Sequence, residues 1–231
     1  FIASLGPPGG GRQDMTARFV RPCNVVGLAE MSDASKAGIF ETILGTFLSG
    51  FTPAIAKLTE GLVASTIDTF NTVVASLLPT PAKSHYTFNL RDLAKVFQGT
   101  LMGSPKMILE PVGMVRLWVH ELKRVFEDRL TTTQDHDWFR SQLETCCAQK
   151  FSMKWSEIQR TERLMYCDFT DPNADPRIYS EVEDIDKLKL VVNDFLEEHN
   201  AESKSPMPLV MFLDAIEHVL RIARILRQPQ G

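Results

Sequence analysis

From Ser35 to the end of the chain, apolar residues recur almost everywhere at the spacing of a helix, and strand patterning nearly disappears. Ile39, Phe40, Ile43, Leu44, Phe47 and Leu48 share one face of a helix over 35–50. Leu58, Leu62, Ile67, Phe70, Val73, Val74 and Leu77 make a longer one over 57–78, which Pro79 and Pro81 stop. Asn89 is a good N-cap for a helix to about Gln98, with Gly99 as its stop. Pro111 opens a helix to Leu130 whose inward face is Val115, Trp118, Val119, Leu122, Val125 and Phe126. Further helices are expected from Asp135, over 181–199 and over 209–227, with an irregular stretch at 150–181. Such a chain folds as a mainly α protein, and the prolines after Leu78 mark the expected boundary between two parts.

Two short apolar runs are the exceptions. Phe1–Leu5 and Asn24–Leu28 read as strands, and the second has the unbroken apolar character of a strand covered on both faces. Between them lies Gly6-Pro7-Pro8-Gly9-Gly10-Gly11, which can be neither helix nor central strand. A short helix from about Asp14 or Thr16 to Val20 carries Arg18, with Arg21 at its end. Phe1 begins inside an apolar run and Gly231 follows a Gln-Pro-Gln breaker, so the sequence is expected to be a piece of a longer polypeptide.

Of 231 residues, 44% are hydrophobic and 23% charged, which is ordinary for a globular chain. A formal net charge of −4 gives no footprint for nucleic acid, and no apolar run reaches the ~18 residues of a membrane helix. Cys23, Cys146, Cys147 and Cys167 form no CxxC, and an adjacent pair is not a zinc spacing, so all four read as reduced thiols of an intracellular protein. The five histidines do not cluster; His218, four residues after Asp214, reads as a polar-face pair, and His136 as part of a solvated helix start.

The glycine run is neither GxGxxG nor GxxxxGK[ST], so its plain reading is a loop between two strands. Arg18 and Arg21 have two readings. They are surface cations at a helix C-terminal end, or guanidiniums presented to a neighbour's phosphate, whose developing charge a planar fork suits. Arg91 stands in the first turn of its helix, where a cation is mildly unfavourable, which points to an anionic partner: a phosphate, or Asp92 or another nearby carboxylate.

Three stretches carry a resemblance: FIASLGPPGGGRQDMTARFVRPCNVV, SHYTFNLRDLAKVFQG and LVMFLDAIEHVLRIARILRQPQG. Together they resemble the dynein heavy chain, the axonemal branch more than the cytoplasmic one. The resemblance implies the back part of the third AAA+ module of the motor ring. The end of its α/β large subdomain (1–78) would be followed by a helical small, or lid, subdomain (79–206) and a helix leading to the fourth module (207–231).

The resemblance also implies roles. Gly6 falls where AAA+ proteins carry the sensor-1 polar residue, a departure that argues against water positioning at this module. Arg21 matches the arginine finger, with Arg18 the alternative, facing the nucleotide of the preceding module. Arg91 matches the sensor-2 arginine, which approaches the module's own ATP or ADP, with Mg²⁺ in the intact site. The phosphate loop and the Mg²⁺-binding acidic strand are expected upstream of Phe1, so this piece should not hydrolyse ATP alone. Implied partners are adjacent AAA+ modules of the same heavy chain, the microtubule through the intact motor, and other dynein subunits, with no nucleic acid or membrane. The implied location is cytoplasm, cytoskeleton and cilium axoneme. The competing reading is a helical scaffold or interaction domain with no nucleotide role.

Overall fold

A computed structural model describes residues 1–6, 14–161, 163–172 and 174–228, and the chain forms two compact units, Phe1–Ser32 and Asp33–Gly231. The glycine-rich loop at 7–11, with Arg12, lies outside the described residues.

In the first unit the described regular structure is one short helix, α1 (Ala17–Val20), entered from Thr16 without a side-chain cap. The two expected strands do not form: residues 1–5 and 24–28 are unpaired, and Ile2 and Leu28 are more than 90% exposed. A strand exists only by sharing its N–H and C=O groups with a neighbour, and no described residue offers these stretches a ladder.

The second unit is built from α2 (Asp33–Leu48), α3 (Pro53–Ala56), α4 (Thr59–Ser76), α5 (Leu90–Thr100), α6 (Pro111–Val125), α7 (Thr133–Phe151), α8 (Trp155–Ile158), α9 (Ile185–Glu202) and α10 (Leu213–Arg227). A 3-10 turn, Glu127–Arg129, follows α6. Two-residue strands β1 (Tyr166–Cys167) and β2 (Ser180–Glu181) pair antiparallel. Helix α6 is the hub, with ten of its fifteen residues buried. Its apolar face is covered by the neighbouring helices, and its buried Arg116 and Glu121 are covered with their charges paired. Leu44, Leu62, Phe70, Leu93, Phe97, Trp118, Leu122 and Phe139 bring α2, α4, α5, α6 and α7 into one core. Phe40 stacks on Phe97 with ring centroids 4.1 Å apart. The Trp118 indole donates to Thr66 Oγ1 at 2.8 Å, so the one polar atom of that ring is satisfied. A second cluster joins Met165, Val182, Leu188, Ile216 and Leu220 around the strand pair, α9 and α10.

The boundary expected after Leu78 is not where the packing divides. Helix α4 before the prolines and α5, α6 and α7 after them share one core, and the chain separates into compact units after Ser32. Prolines end a helix by geometry, whichever domain the next helix joins.

Gly99 was expected to stop α5 and instead lies within it. A Cβ there would sit 1.7 Å from Glu121 Oε2 and 2.8 Å from Arg224 Nη2. Glu121 is wholly buried, and Arg224 donates to it through Nε at 2.9 Å and through Nη2 as well. Helix propensity alone favours alanine over glycine by about 1 kcal/mol. Disrupting a buried ion pair costs about 3–5 kcal/mol, so the close approach decides the sign. Gly99→Ala should therefore lower the urea midpoint of the second unit's unfolding, whereas Gly27→Ala, with nothing within 4 Å of its Cβ, should leave it unchanged.

Candidate functional site: the strap that carries Arg91

Helix α5 begins with a reciprocal cap. Asn89 is extended at φ −145° and ψ 175°, and its Oδ1 accepts from Arg91 N at 2.9 Å. Asp92 Oδ2 accepts in turn from Asn89 N at 3.0 Å. Two backbone donors that a helix start leaves orphaned are thereby satisfied.

Arg129 then bolts the preceding segment down. Its guanidinium pairs with Asp92 Oδ2 at 3.0 Å, donates to the carbonyls of His85 and Thr87 at 3.0 and 2.9 Å, and lies 4.6 Å from the centre of the Phe88 ring. His85 Nε2 returns a bond to Arg129 O at 2.9 Å. At the other end, the hydroxyl of buried Tyr86 donates to Asp135 at 2.7 Å and accepts from Thr131 N at 3.0 Å. Lys83 also pairs with Asp135. Burial pushes the Asp135 carboxyl up, but the bonds from Lys83, Tyr86 and Thr132 outweigh it and hold the pKa at about 2. Residues 83–89 thus form a strap tied to the ends of α6 and α7.

Arg91 stands on this strap's rigid end. It is exposed, and among the described residues its guanidinium makes no ion pair. Its nearest acidic candidate, Asp92, is already committed to Asn89 and Arg129. What remains is an exposed cation in the first turn of a helix whose opening N–H groups are already taken up by Asn89 and Asp92, so any anion met here is met by the guanidinium.

Arg18, Arg21 and Gly6 lie in the first unit, and all three are exposed. Arg18 is inside α1 and Arg21 is its C-cap, donating its backbone N–H to Ala17 O at 3.0 Å. Neither guanidinium makes an ion pair among the described residues. They occupy a different unit from Arg91. A cleft of about 540 Å³ lies between Met107–Arg116 and Ser180–Lys187, and none of these four residues lines it.

Sequence reading missed the charged contacts around α10. Tyr179 donates to Glu121 at 3.1 Å and lies 3.1 Å from His120 Nε2, while His120 Nδ1 is 3.1 Å from Leu164 O. Burial, with Arg124 nearby, pushes the His120 pKa well down, so the ring is neutral and Nδ1–H donates to the carbonyl. Glu217 takes Arg124 at 3.2 Å, Arg221 at 2.8 Å and Arg163 at 2.8 Å. Asp214 pairs with Arg163, not with His218 as the four-residue spacing suggested. A signal was available: Glu217, Arg221 and Arg224 recur at i, i+4 and i+7, a charged stripe along one face.

An AAA+ lid domain family matches residues 62–158. Human dynein axonemal heavy chain 1 is 42% identical along the whole of this chain, and human dynein axonemal heavy chain 6 is 40% identical along the whole of it. Human dynein axonemal heavy chain 3 is 36% identical over the same extent. In each case the chain spans only 6% of the relative's length.

Arg129 acts on Arg91 through the cap. Arg129→Ala should speed amide exchange at residues 89–92 by roughly tenfold or more, as loss of a charge-assisted bond worth ~1.5–3 kcal/mol implies. Arg129→Lys, which keeps the charge and loses the fork, should recover only part of the protection.

Proposed function

We propose a nucleotide-sensing and relay role for this chain, which is homologous along its full length to axonemal dynein heavy chains and carries an AAA+ lid domain. In this reading it is part of a motor's AAA+ ring, at the third module, and the second unit from Asp33 onward is the lid. Its neighbours are the adjoining modules of the same heavy chain, and the intact motor works on microtubules in the axoneme with its other subunits.

The observation that carries this reading is Arg91: a guanidinium held by a braced helix start, with no ion pair among the described residues. In this reading it meets the phosphates of the module's own ATP or ADP, as a sensor-2 arginine does. Bound nucleotide with Mg²⁺ supplies the negative charge, and this chain supplies the arginine and the lid that moves with it. Arg21, with Arg18 as alternative, supplies an arginine finger to the preceding module. Gly6 at the sensor-1 place leaves no side chain to orient a water, which favours holding nucleotide over turning it over.

In an intact heavy-chain motor, Arg91→Ala should weaken nucleotide retention at this module by roughly 10- to 150-fold, the equivalent of the ~1.5–3 kcal/mol of a hydrogen bond to a charged group. Unchanged affinity would favour the scaffold reading instead.

Arg21→Ala should slow hydrolysis at the preceding module by roughly 10³–10⁵ if that module turns over. Arg18→Ala should leave that rate alone; the reverse result would move the finger to Arg18.

A further inference from the structure

Four Ser or Thr residues precede a proline: Thr52, Thr80, Ser104 and Ser205. Only Thr80 has a basic residue three positions on, Lys83, where the others have Ile55, Met107 and Pro208. A proline next to the acceptor hydroxyl removes a backbone N–H and sets the chain extended. A cation at the third position adds an electrostatic contact for an acidic pocket. That combination is a substrate pattern for a proline-directed Ser/Thr kinase.

The structure places the pattern where a kinase can reach it. Residues 78–82 are exposed, outside any helix, and joined to the rest of the turn by an isolated bridge between Thr80 and Lys83. Lys83 N donates to Thr80 O at 3.0 Å and to Thr80 Oγ1 at 3.2 Å. Reaching the hydroxyl requires only these bonds to open, while engaging Lys83 as well requires its pairing with Asp135 to open; short exposed turns are the low-stability end of a fold.

The same residues connect Thr80 to the strap. The Lys83 ammonium pairs with Asp135, approaches Thr132 Oγ1 at 3.3 Å and lies 5.2 Å from the centre of the Tyr86 ring. Tyr86 and Asp135 in turn hold the segment that presents Arg91.

We propose that Thr80 is a phosphorylation site for a proline-directed Ser/Thr kinase, and that its phosphate draws Lys83 away from Asp135 and loosens the strap carrying Arg91. In the transfer, Thr80 Oγ forms a bond to the γ-phosphorus of ATP. The bond from that phosphorus to ADP breaks, and the hydroxyl proton passes to the kinase's base. The product carries about −1.5 to −2 charge beside the Lys83 backbone N–H, within reach of the ammonium on that residue's four-carbon stem. The coupling to Arg91 rests on the nucleotide-sensing reading above; the modification itself does not.

The test uses the intact heavy-chain motor, a proline-directed kinase with ATP, peptide mass mapping, and release of a fluorescent ADP. The expected result is phosphate on Thr80 and release from this module roughly three- to tenfold faster, with both changes absent in Thr80→Ala. If a free peptide spanning Leu78–Ser84 is modified while Thr80 in the motor is not, the site is overturned. Label on Ser205 alone overturns it equally. Phosphate on Thr80 with unchanged release overturns the coupling, provided Arg91→Ala speeds release in the same assay. If Arg91→Ala is also silent, the nucleotide-sensing reading has failed, while the modification site stands.

Discussion

The ion pair between Glu121 and Arg224, buried beneath Gly99, is the contact on which the arrangement of the second unit depends. Glu121 is wholly buried in the C-terminal half of α6, and its carboxylate is met by Arg224 from α10 and by the Tyr179 hydroxyl. A buried carboxylate without partners is not tolerated, so α6, α10 and the stretch near β2 must come together for any one of them to be stable there. The pair also requires α5 to present glycine, because any Cβ at that point would occupy the carboxylate's place. Four elements distant in sequence are thereby fixed by the solvation of one charge.

This has a bearing on how the unit could act as a relay. Arg91 and Gly99 are on the same helix, about two turns apart. One end of α5 carries the candidate anion contact, and the other lies against the pair that holds α10. Contiguity by itself does not transmit anything. What the packing supplies is stiffness: a displacement of the Arg91 end cannot be absorbed within α5 without disturbing a buried charge. Under the nucleotide-sensing proposal, a rigid lever of this kind would turn a change at Arg91 into movement of the whole unit.

The helices were legible because each buries an apolar stripe at a regular period. Asn89 was legible as a cap from its residue type, but not the return bond from Asp92 that completes the capping box. Gly99 was misread for a reason that spacing cannot reveal. Glycine near a helix end satisfies both a stop and a close approach, and only the position of Glu121 distinguishes them. The two strand-like runs were misread because apolar character states a demand for burial without naming a partner. Arg91 could be picked out from its unfavourable position in the first turn. Arg129 could not, since it acts through carbonyls of His85 and Thr87 more than forty residues away. The helix expected over 181–199 starts later: Glu181 pairs with Arg116 at 2.9 Å, and Asp184 caps α9. An acidic run looks alike whether its carboxylates meet a helix dipole or a buried guanidinium.

The face of α10 toward the body buries Ile216 and Leu220 yet also carries a row of charges, which raises a last question: why those charges are there when apolar residues would bury as well. Glu217 alone meets three arginines, from α6, from the stretch before β1 and from its own helix. Burial pushes its carboxyl up, yet those arginines hold it below the usual range, so it stays ionised. Replacing such pairs by apolar residues often stabilises a protein, so stability is a weak reason for them. Register is a stronger one. An apolar helix can slide or turn on an apolar surface at small cost, because dispersion contacts are interchangeable. A helix held by Asp214, Glu217, Arg221, Arg224 and Arg227 can meet Arg163, Arg124, Asp128, Glu121 and Asp168 in only one position. Charge pairing therefore fixes one position for α10, where an apolar face alone would allow several.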